Sequence, residues 1–286
     1  MTTNEALPKL LPRRPDAHKG DFGTALIVGG SRGMSGAAAL AGMAALRGGA
    51  GLVRLAVPDV CLETIARFEP SYMTLPLPSD ADGKIISKAL PQIIEHSTAA
   101  TALAIGPGLG RSRELDQLVA GLYREIGKPM VVDADALNAL ASQPDVIAKP
   151  GGPRILTPHP GEFARLVGKK LDGQEREKAA VELASRCGVV VLLKGHHTFV
   201  TDGKREAINT TGNPGMASGG SGDVLTGLVT ALLCQQFGPF DAAQLGAHLH
   251  GLAGDLAAKQ YGEVSLIARD LVEFLPSAFK EFDRQA

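Results

Sequence analysis

The chain has 286 residues, of which 44% are hydrophobic and 21% are charged, as in an ordinary globular protein. Its net charge of -1 and its 4% aromatic content argue against nucleic acid and anionic membranes as partners. The three cysteines lie far apart without metal-ligand spacing, which indicates a reducing compartment. No signal peptide precedes the first strand, and no apolar run reaches the ~20 residues of a membrane span. We therefore expect a soluble, cytoplasmic protein.

The N-terminal part of the chain begins with a polar, proline-containing segment, residues 1–15, which is expected to be an extended arm. Residues 24–28 then form a short apolar run typical of a buried strand. An alanine-rich helix is predicted for residues 37–50 and a second strand for residues 52–57. The order strand, helix, strand is the unit of a parallel sheet.

The same alternation continues through the middle of the chain. Further strands are predicted at residues 102–105, 130–132, 154–156 and 189–193, and helices at residues 60–68, 88–95, 113–126, 136–141 and 174–186. Two short strands, residues 198–201 and 206–208, flank Asp202-Gly203 and indicate a hairpin. Fully apolar strands joined by helical crossovers predict a three-layer α/β/α sandwich with a mostly parallel sheet. We expect one domain over residues 1–286.

The stretch from residue 210 to residue 234 is glycine-rich in its first half and almost wholly apolar from Val224 onward. A buried helix is therefore predicted from Val224, with Asp223 at its entrance. The N-terminus of a helix presents free N–H groups and partial positive charge, and glycines let a ligand approach the backbone. The pattern indicates an anion-binding loop beside a carboxylate. The alternative is a flexible loop in which Asp223 is only the N-cap of the helix.

Several predicted strands end in loops that are rich in glycine and polar residues. These loops are residues 29–36, 106–110, 133–135, 157–162 and 194–198. In an open parallel sheet, ligands bind outside the carboxyl ends of the strands. We therefore expect a long site that holds a nucleotide and a second, bulky ligand. The chain has neither a P-loop nor a dinucleotide-binding fingerprint.

The loop Gly219-Gly220-Ser221-Gly222-Asp223 resembles the anion loop and catalytic base of ribokinase-like small-molecule kinases. A longer ordered set of motifs is similar to the ADP-dependent NAD(P)H-hydrate dehydratases, from about Pro15 to the C-terminus. The set comprises His18-Lys19-Gly20-Asp21-Phe22-Gly23, Gly30-Ser31 with Met34-Ser35-Gly36-Ala37, Gly106-Pro107-Gly108-Leu109-Gly110, Asp133-Ala134-Asp135-Ala136-Leu137, Thr157-Pro158-His159-Pro160-Gly161-Glu162-Phe163, Lys194-Gly195-x-x-Thr198 and Asn213-Pro214-Gly215-Met216-Ala217. As an ordered set the motifs are specific, although no single one is.

This resemblance implies a ribokinase-like fold and a repair reaction. Hydrated NADH or NADPH would be phosphorylated on its ring hydroxyl by ADP, and loss of phosphate would restore the cofactor. Magnesium would enter on the nucleotide, because phosphoryl transfer needs its charge neutralised, and no protein metal ligand is assigned. Relatives often carry an epimerase domain. We expect none here, so that a separate epimerase would act with this protein. The family also implies a homo-oligomer, with a tetramer as a common form.

The resemblance also implies roles for particular residues. Asp223 would act as the base, with N–H groups from Gly220, Ser221 and Gly222 on the transferring phosphoryl group. Matches to the nucleotide-binding positions are Lys194, Gly195, His196, His197, Thr198 and Gly222. Matches to the substrate-binding positions are Ala37, Gly108, His159 and Asp223.

For other residues, and for the function, the sequence allows more than one interpretation. Glu162 could cap a helix or help to organise magnesium, and Asp133 and Asp135 are equally compatible with turn residues. One alternative function is a kinase of the hydroxyethylthiazole or hydroxymethylpyrimidine type, because such kinases share the glycine loop and its aspartate. Another is a nucleotide sensor without catalytic activity.

Overall fold

A nine-stranded sheet forms the centre of the computed structural model, which describes residues 6–10 and 12–285. In space the strands of this described part follow the order β3-β2-β1-β4-β5-β6-β7-β8-β9. The strands are β1 (Thr24–Val28), β2 (Leu52–Pro58), β3 (Met73–Leu77), β4 (Ala102–Ile105), β5 (Met130–Val132), β6 (Arg154–Leu156), β7 (Val190–Leu193), β8 (Phe199–Thr201) and β9 (Glu206–Ile208).

Strands β1 to β7 pair in parallel, and β8 and β9 extend the sheet as an antiparallel hairpin. The parallel sheet and the hairpin are both as predicted from the sequence. The helices are α1 (Ser35–Arg47), α2 (Leu62–Ala66), α3 (Leu90–Thr98), α4 (Arg113–Glu125), α5 (Ala134–Ala141), α6 (Pro144–Ile147), α7 (Pro160–Val167), α8 (Gly173–Cys187), α9 (Ser221–Cys234), α10 (Pro239–Tyr261) and α11 (Ala268–Gln285).

Helices cover both faces of the sheet, so the predicted three-layer sandwich is confirmed. Successive side chains of a strand point to opposite faces. In β1, Ala25 and Ile27 join one core with residues of α1, α9, α10 and α11, whereas Leu26 and Val28 join a second core with residues of α3, α4, α5 and α8. Burial on both faces explains why these strands are apolar throughout rather than alternating.

Helix α9 lies in the layer of helices that contributes to the first core, packed between α1, α10 and the sheet. Apart from Gly222 and Asp223, each of its residues from Ser221 to Cys234 is buried. Contact with α1 is so close that a β-carbon on Gly227 would lie 2.0 Å from the carbonyl oxygen of Ala41. Only glycine permits this approach, which fixes where the first turn of α9 emerges.

Several helix starts differ by one or two residues from the sequence prediction, and two differences bear on the site. Helix α9 begins at Ser221 rather than Val224, because Gly220 takes a left-handed backbone conformation (φ +95°) and serves as the N-cap. Asp223 is therefore the third residue of the helix and not its N-cap. Helix α7 begins at Pro160, inside the segment expected to be a loop. Proline at the first position of a helix loses no hydrogen bond.

The ends of the chain add elements that the sequence patterns did not reveal. Helices α10 and α11 lie beyond the predicted elements and pack on each other and against α9 and α1.

Among the described residues of the predicted arm, Leu7 and Leu10 pack against the first core. Arg13 donates a 2.9 Å hydrogen bond to Gly49. Residues 1–5 and 11 lie outside the described residues. None of the helices in the described part is long and apolar enough to cross a membrane.

Arg154 is an almost fully buried cation at the start of β6, 1% exposed. Its guanidinium group donates hydrogen bonds to four backbone carbonyls, those of Tyr123, Ile126, Lys128 and Pro153. Burial lowers its pKa to about 10, so the group remains charged at neutral pH. Through these hydrogen bonds the side chain connects the end of α4 with the loops that precede β5 and β6.

We predict that Arg154→Met lowers the free energy of unfolding by about 2–4 kcal/mol, because the buried carbonyls lose a charged donor that no water replaces. Arg154→Lys should rescue little of this loss, since one ammonium group cannot reach four carbonyls. Urea denaturation followed by circular dichroism measures the change. Arg269→Met, which removes an exposed arginine from α11, is the control and should stay within about 0.5 kcal/mol.

Candidate active site

A cavity of about 860 Å³ opens at the carboxyl ends of β5, β6 and β7. Its walls come from the loops after these strands, from the segment before α9, from the first turn of α9 and from α10. The lining includes all the residues assigned above to catalysis and nucleotide binding, together with His159. The parallel sheet brings these distant residues together because its strands end at one edge.

The first turn of α9 forms one side of the cavity. Gly220 could not be replaced at its position, since a β-carbon would lie 2.7 Å from Leu40 and its backbone is left-handed. The next residues, Ser221, Gly222 and Asp223, lie in the first turn, where backbone N–H groups lack acceptors within the helix. The N–H of Ser221 donates a long hydrogen bond of 3.4 Å to the carbonyl of Ser218. An anion in the cavity would compete for this donor and would meet the other N–H groups and the positive end of the helix dipole.

Lys194 follows β7 and forms an ion pair at the base of the cavity. Its Nζ donates a 2.7 Å hydrogen bond to Asp133 Oδ1 and lies 3.9 Å from Glu162 Oε2. Burial by itself would lower the pKa of Lys194, but the charges of Asp133 and Glu162 outweigh it and the pKa is raised. Lys194 therefore keeps its positive charge at neutral pH.

His159 and Glu162 begin α7 with reciprocal hydrogen bonds. His159 Nδ1 accepts from the N–H of Gly161 at 3.0 Å, and the N–H of His159 donates to Glu162 Oε2 at 2.8 Å. Because Nδ1 is an acceptor, neutral His159 carries its proton on Nε2. Burial and the charge of Lys194 lower its pKa, so it is neutral at pH 7. Of the two roles considered for Glu162, the structure shows the helix cap.

Two carboxyl groups have strongly raised pKa values, that of Asp223, which lines the cavity, and that of Glu162, which is buried beside Lys194. Burial, followed by the negative charge of Asp133, raises the pKa of Asp223 to about 7, against the opposing effect of Lys194. Burial also raises the pKa of Glu162 to about 7. A carboxyl group that titrates near neutral pH is suited to accept and release a proton in a reaction.

The loop after Lys194 forms the outer wall of the cavity. The rings of His196 and His197 stack with their centroids 3.9 Å apart. His197 has a left-handed backbone (φ +58°), and Thr198 Oγ1 donates to the carbonyl of Gly195 at 3.1 Å. The loop therefore turns tightly and presents two imidazole rings and backbone groups to the cavity.

Ala37, in the first turn of α1, and Gly108, in the loop after β4, lie together and do not line this cavity. A β-carbon on Gly108 would lie 2.9 Å from the side chain of Ala37, and Ser31 Oγ donates to the carbonyl of Gly108 at 2.8 Å. Further along this loop, the N–H of Gly110 donates to Asp135 at 2.8 Å. The loop thus adjoins the Asp133–Asp135 segment and continues the same edge of the sheet.

The structure adds residues to the site that sequence reasoning missed. Thr226, one turn beyond Asp223, donates a 2.7 Å hydrogen bond to Asp133 Oδ2. It could have been noticed as a hydroxyl group in an otherwise apolar helix. His250 on α10 contacts the carbonyl of Ser221 through Nε2 at 2.9 Å, and burial lowers its pKa to about 4. No motif marks His250.

Within the described residues, no three acidic, histidine or cysteine side chains converge as metal ligands.

Comparison with known proteins gives the family. The model of the NAD(P)H-hydrate dehydratase family matches residues 25–277. The chain belongs to this family. It is 46% identical, over 96% of its length, to the bifunctional NAD(P)H-hydrate repair enzyme Nnr of Moorella thermoacetica, of which it covers 53%. The chain spans about half the length of the curated relatives it matches.

Solved structures agree with this assignment. The ADP/ATP-dependent NAD(P)H-hydrate dehydratase of Bacillus subtilis, crystallised with ATP and Mg²⁺, is 32% identical and superposes with a TM-score of 0.79, covering 96% of this chain and 94% of that one. The ribokinase of Thermotoga maritima is 15% identical with a TM-score of 0.55, covering 89% of this chain and 99% of its own. That second likeness shows that the fold is ribokinase-like.

We predict that Asp223→Asn raises the melting temperature by about 2–6 °C at pH 8 and changes it little near pH 4. Between the ordinary pKa of 3.8 and the raised value of about 7, the folded protein holds a proton that the unfolded chain has released. Stability is therefore lost as the pH rises through this range, and asparagine avoids that loss. Calorimetry on both proteins measures the difference.

Asp145→Asn, which alters an exposed carboxyl group at the start of α6, is the matched control and should show no such pH dependence. An equal effect of Asp223→Asn at both pH values would contradict the raised pKa.

Proposed function

We propose that this chain dehydrates hydrated NADH or NADPH to NADH or NADPH and consumes ADP, giving AMP and phosphate. The observation that supports it most is the position of Asp223, in the first turn of a buried helix, beside an N–H cradle and the Lys194 ammonium group. This arrangement occurs in a chain that the dehydratase family model matches from residue 25 to residue 277. Phosphoryl transfer needs these groups: a base, N–H donors and a cation around the transferring phosphate.

The proposed reaction has two steps, a phosphoryl transfer and an elimination of phosphate. The ring hydroxyl oxygen of the hydrated cofactor attacks the β-phosphorus of ADP, the bond to the bridging oxygen breaks, and AMP leaves. The hydroxyl proton passes to Asp223, whose carboxylate form is abundant at neutral pH because its pKa is about 7. The phosphate then leaves the ring carbon together with a proton from the neighbouring carbon, and the ring double bond forms.

The other site residues receive binding roles in this proposal. The N–H groups of Gly220, Ser221 and Gly222 would stabilise charge on the transferring phosphoryl group. Lys194 to Thr198, with Gly222, would hold the nucleotide. His159, Ala37 and Gly108 would contact the hydrated cofactor along the same edge of the sheet.

Magnesium would be carried by the nucleotide phosphates. The donor set fits this better than a protein-held ion, because Asp133 and Glu162 already accept hydrogen bonds from Lys194, Thr226 and the His159 backbone. When bound, the ion would neutralise phosphate charge. We assign no protein side chain to it.

The proposal extends to the setting in which the protein works. The curated relatives that the chain matches are named as bifunctional NAD(P)H-hydrate repair enzymes, and we propose that this chain works together with an NAD(P)H-hydrate epimerase activity. We also propose a single domain, a homo-oligomer of four chains and a cytoplasmic location. Cys61, Cys187 and Cys234 are buried and unpaired, which suits a reducing compartment.

Incubation with hydrated NADH, magnesium and either ADP or ATP tests the reaction. We expect the absorbance band of reduced nicotinamide to return with ADP, and phosphorus NMR to show AMP and free phosphate in equal amounts. Failure with both nucleotides would contradict the proposal. If a stable phosphorylated alcohol formed instead from hydroxyethylthiazole or hydroxymethylpyrimidine, the protein would be a vitamin-precursor kinase.

We predict that Asp223→Asn lowers kcat by about 10²–10⁴-fold while the dissociation constant for ADP changes less than about threefold. Asparagine keeps the size of the side chain and removes the base. Steady-state kinetics and isothermal calorimetry measure the two quantities. Asp145→Asn serves as the control with unchanged turnover. If Asp223→Asn retained full activity, Asp223 would not be the base.

A further inference from the structure

Asp133 lies at the centre of the site, at the carboxyl end of β5, and is 1% exposed. Each of its carboxylate oxygens accepts one 2.7 Å hydrogen bond, Oδ1 from Lys194 and Oδ2 from Thr226. The two donors come from different elements, since Lys194 follows β7 and Thr226 belongs to α9. Asp133 therefore joins three parts of the chain in one contact. If Asp133 served only as a turn residue at the start of α5, neither hydrogen bond would be required.

The Asp133–Lys194 pair lies directly beneath the first turn of α9. A β-carbon on Gly222 would be 3.2 Å from Lys194 Nζ and 3.7 Å from Asp133 Oδ2. Glycine at position 222 thus leaves the pair room beside the backbone that precedes Asp223. A buried carboxylate and a buried ammonium group are tolerated when each neutralises the other and their hydrogen bonds are made.

The backbone around Asp133 is fixed in an unusual conformation. Ala134 has a left-handed backbone (φ +49°), which is rare for a residue with a side chain and occurs often at functional sites. A β-carbon on Gly106 would lie 1.8 Å from the carbonyl oxygen of Asp133. Because the N–H of Asp133 is bound to Ile105 at 3.0 Å, the carboxylate has little freedom to move.

We propose that Asp133 is a positioning residue, which fixes the ammonium group of Lys194 beneath the first turn of α9 and keeps it from pairing directly with Asp223. This role rests on the function proposed above, in which Asp223 must be free to accept a proton. Lys194 Nζ now lies between Asp133 and Glu162, and the charge of Asp223 also acts on it. Without Asp133, the ammonium group would be free to shift from this place and pair with Asp223. Asp223 would then be held as a neutralised ion pair and would be a poorer base.

Charged groups face Asp223 from several elements. Asp133 and Asp135 approach from the start of α5, Glu162 from α7 and Lys194 from the loop after β7. His250, on α10, lies beneath Ser221 and is neutral because burial lowers its pKa to about 4. Asp133 and Lys194 act on the pKa of Asp223 in opposite directions, Asp133 raising it and Lys194 lowering it. Charge-neutral substitutions of the two residues therefore have opposite effects.

The test titrates Asp223 by NMR in the full chain with carbon-13-labelled aspartate, and the signal is assigned by its absence in Asp223→Asn. In the unaltered protein, we expect a midpoint at about pH 7. Asp133→Asn should move the midpoint below about pH 6, whereas Lys194→Gln should move it above about pH 8. Both substitutions keep a hydrogen-bonding group and remove one charge. Asp145→Asn should leave the midpoint in place.

This titration needs neither ADP nor hydrated cofactor, so it reports on Asp133 even if the proposed reaction is not found. An unchanged midpoint in Asp133→Asn overturns the inference. If Asp133→Asn does not fold, the titration of Lys194→Gln is the test. An unchanged Asp223 midpoint in that variant also overturns the inference.

Turnover gives a second, independent measurement. Asp133→Asn should lower kcat by about 10–100-fold and raise the KM for ADP less than threefold, because the base is affected more than the binding of nucleotide. Thr226→Ser, which keeps the hydroxyl group, should remain within threefold of the unaltered kcat, whereas Thr226→Val should lose about tenfold. A rise in KM without a loss of kcat would assign Asp133 to nucleotide binding and overturn its role beside Asp223.

Discussion

The close packing of α9 against α1 is the constraint on which the site depends. With no β-carbon at Gly227, the two helices approach until the glycine almost touches the backbone of Ala41. A helix buried on nearly all sides cannot tilt or slide without opening cavities in the core. Its first turn is therefore held rigidly, and the N–H groups and Asp223 keep a fixed relation to the ends of the strands. Gly220 ends the preceding loop at the same point, because a side chain there would strain its left-handed backbone (φ +95°) and crowd Leu40 and Ala268.

Electrostatic balance within the cavity decides what that first turn can do. Three carboxyl groups, those of Asp133, Glu162 and Asp223, act on one ammonium group, that of Lys194. Asp133 is held by two donors, and Glu162 caps α7. Asp223 and Glu162 both have a pKa of about 7, but of the two only Asp223 lines the cavity. The fold thus separates carboxyl groups of similar chemistry into a structural set and a reactive one.

Much of the architecture was accessible from the sequence because the parallel strands are short, apolar and bounded by glycine or proline. Strands β1, β4, β5, β6 and β9 begin and end where the pattern predicted. The hairpin of β8 and β9 followed from its Asp-Gly turn. Helices α10 and α11 did not, since α10 is buried for most of its length and carries small residues and histidines without a clear apolar stripe. The start of α9 was misplaced by three residues, because a glycine N-cap resembles the continuation of a glycine-rich loop.

By itself the sequence determined the fold class, the family resemblance and the residues that surround the cavity, because strand ends in a parallel sheet must lie at one edge. It left the status of Asp133 open between a turn residue and a functional one. Only the tertiary structure shows what Asp133 contacts, since its partners Lys194 and Thr226 lie 61 and 93 residues away along the chain. The pKa of Asp223 was likewise beyond sequence reasoning. It depends on burial and on charges brought from α5, α7 and the end of β7, and these distances exist only in the folded chain.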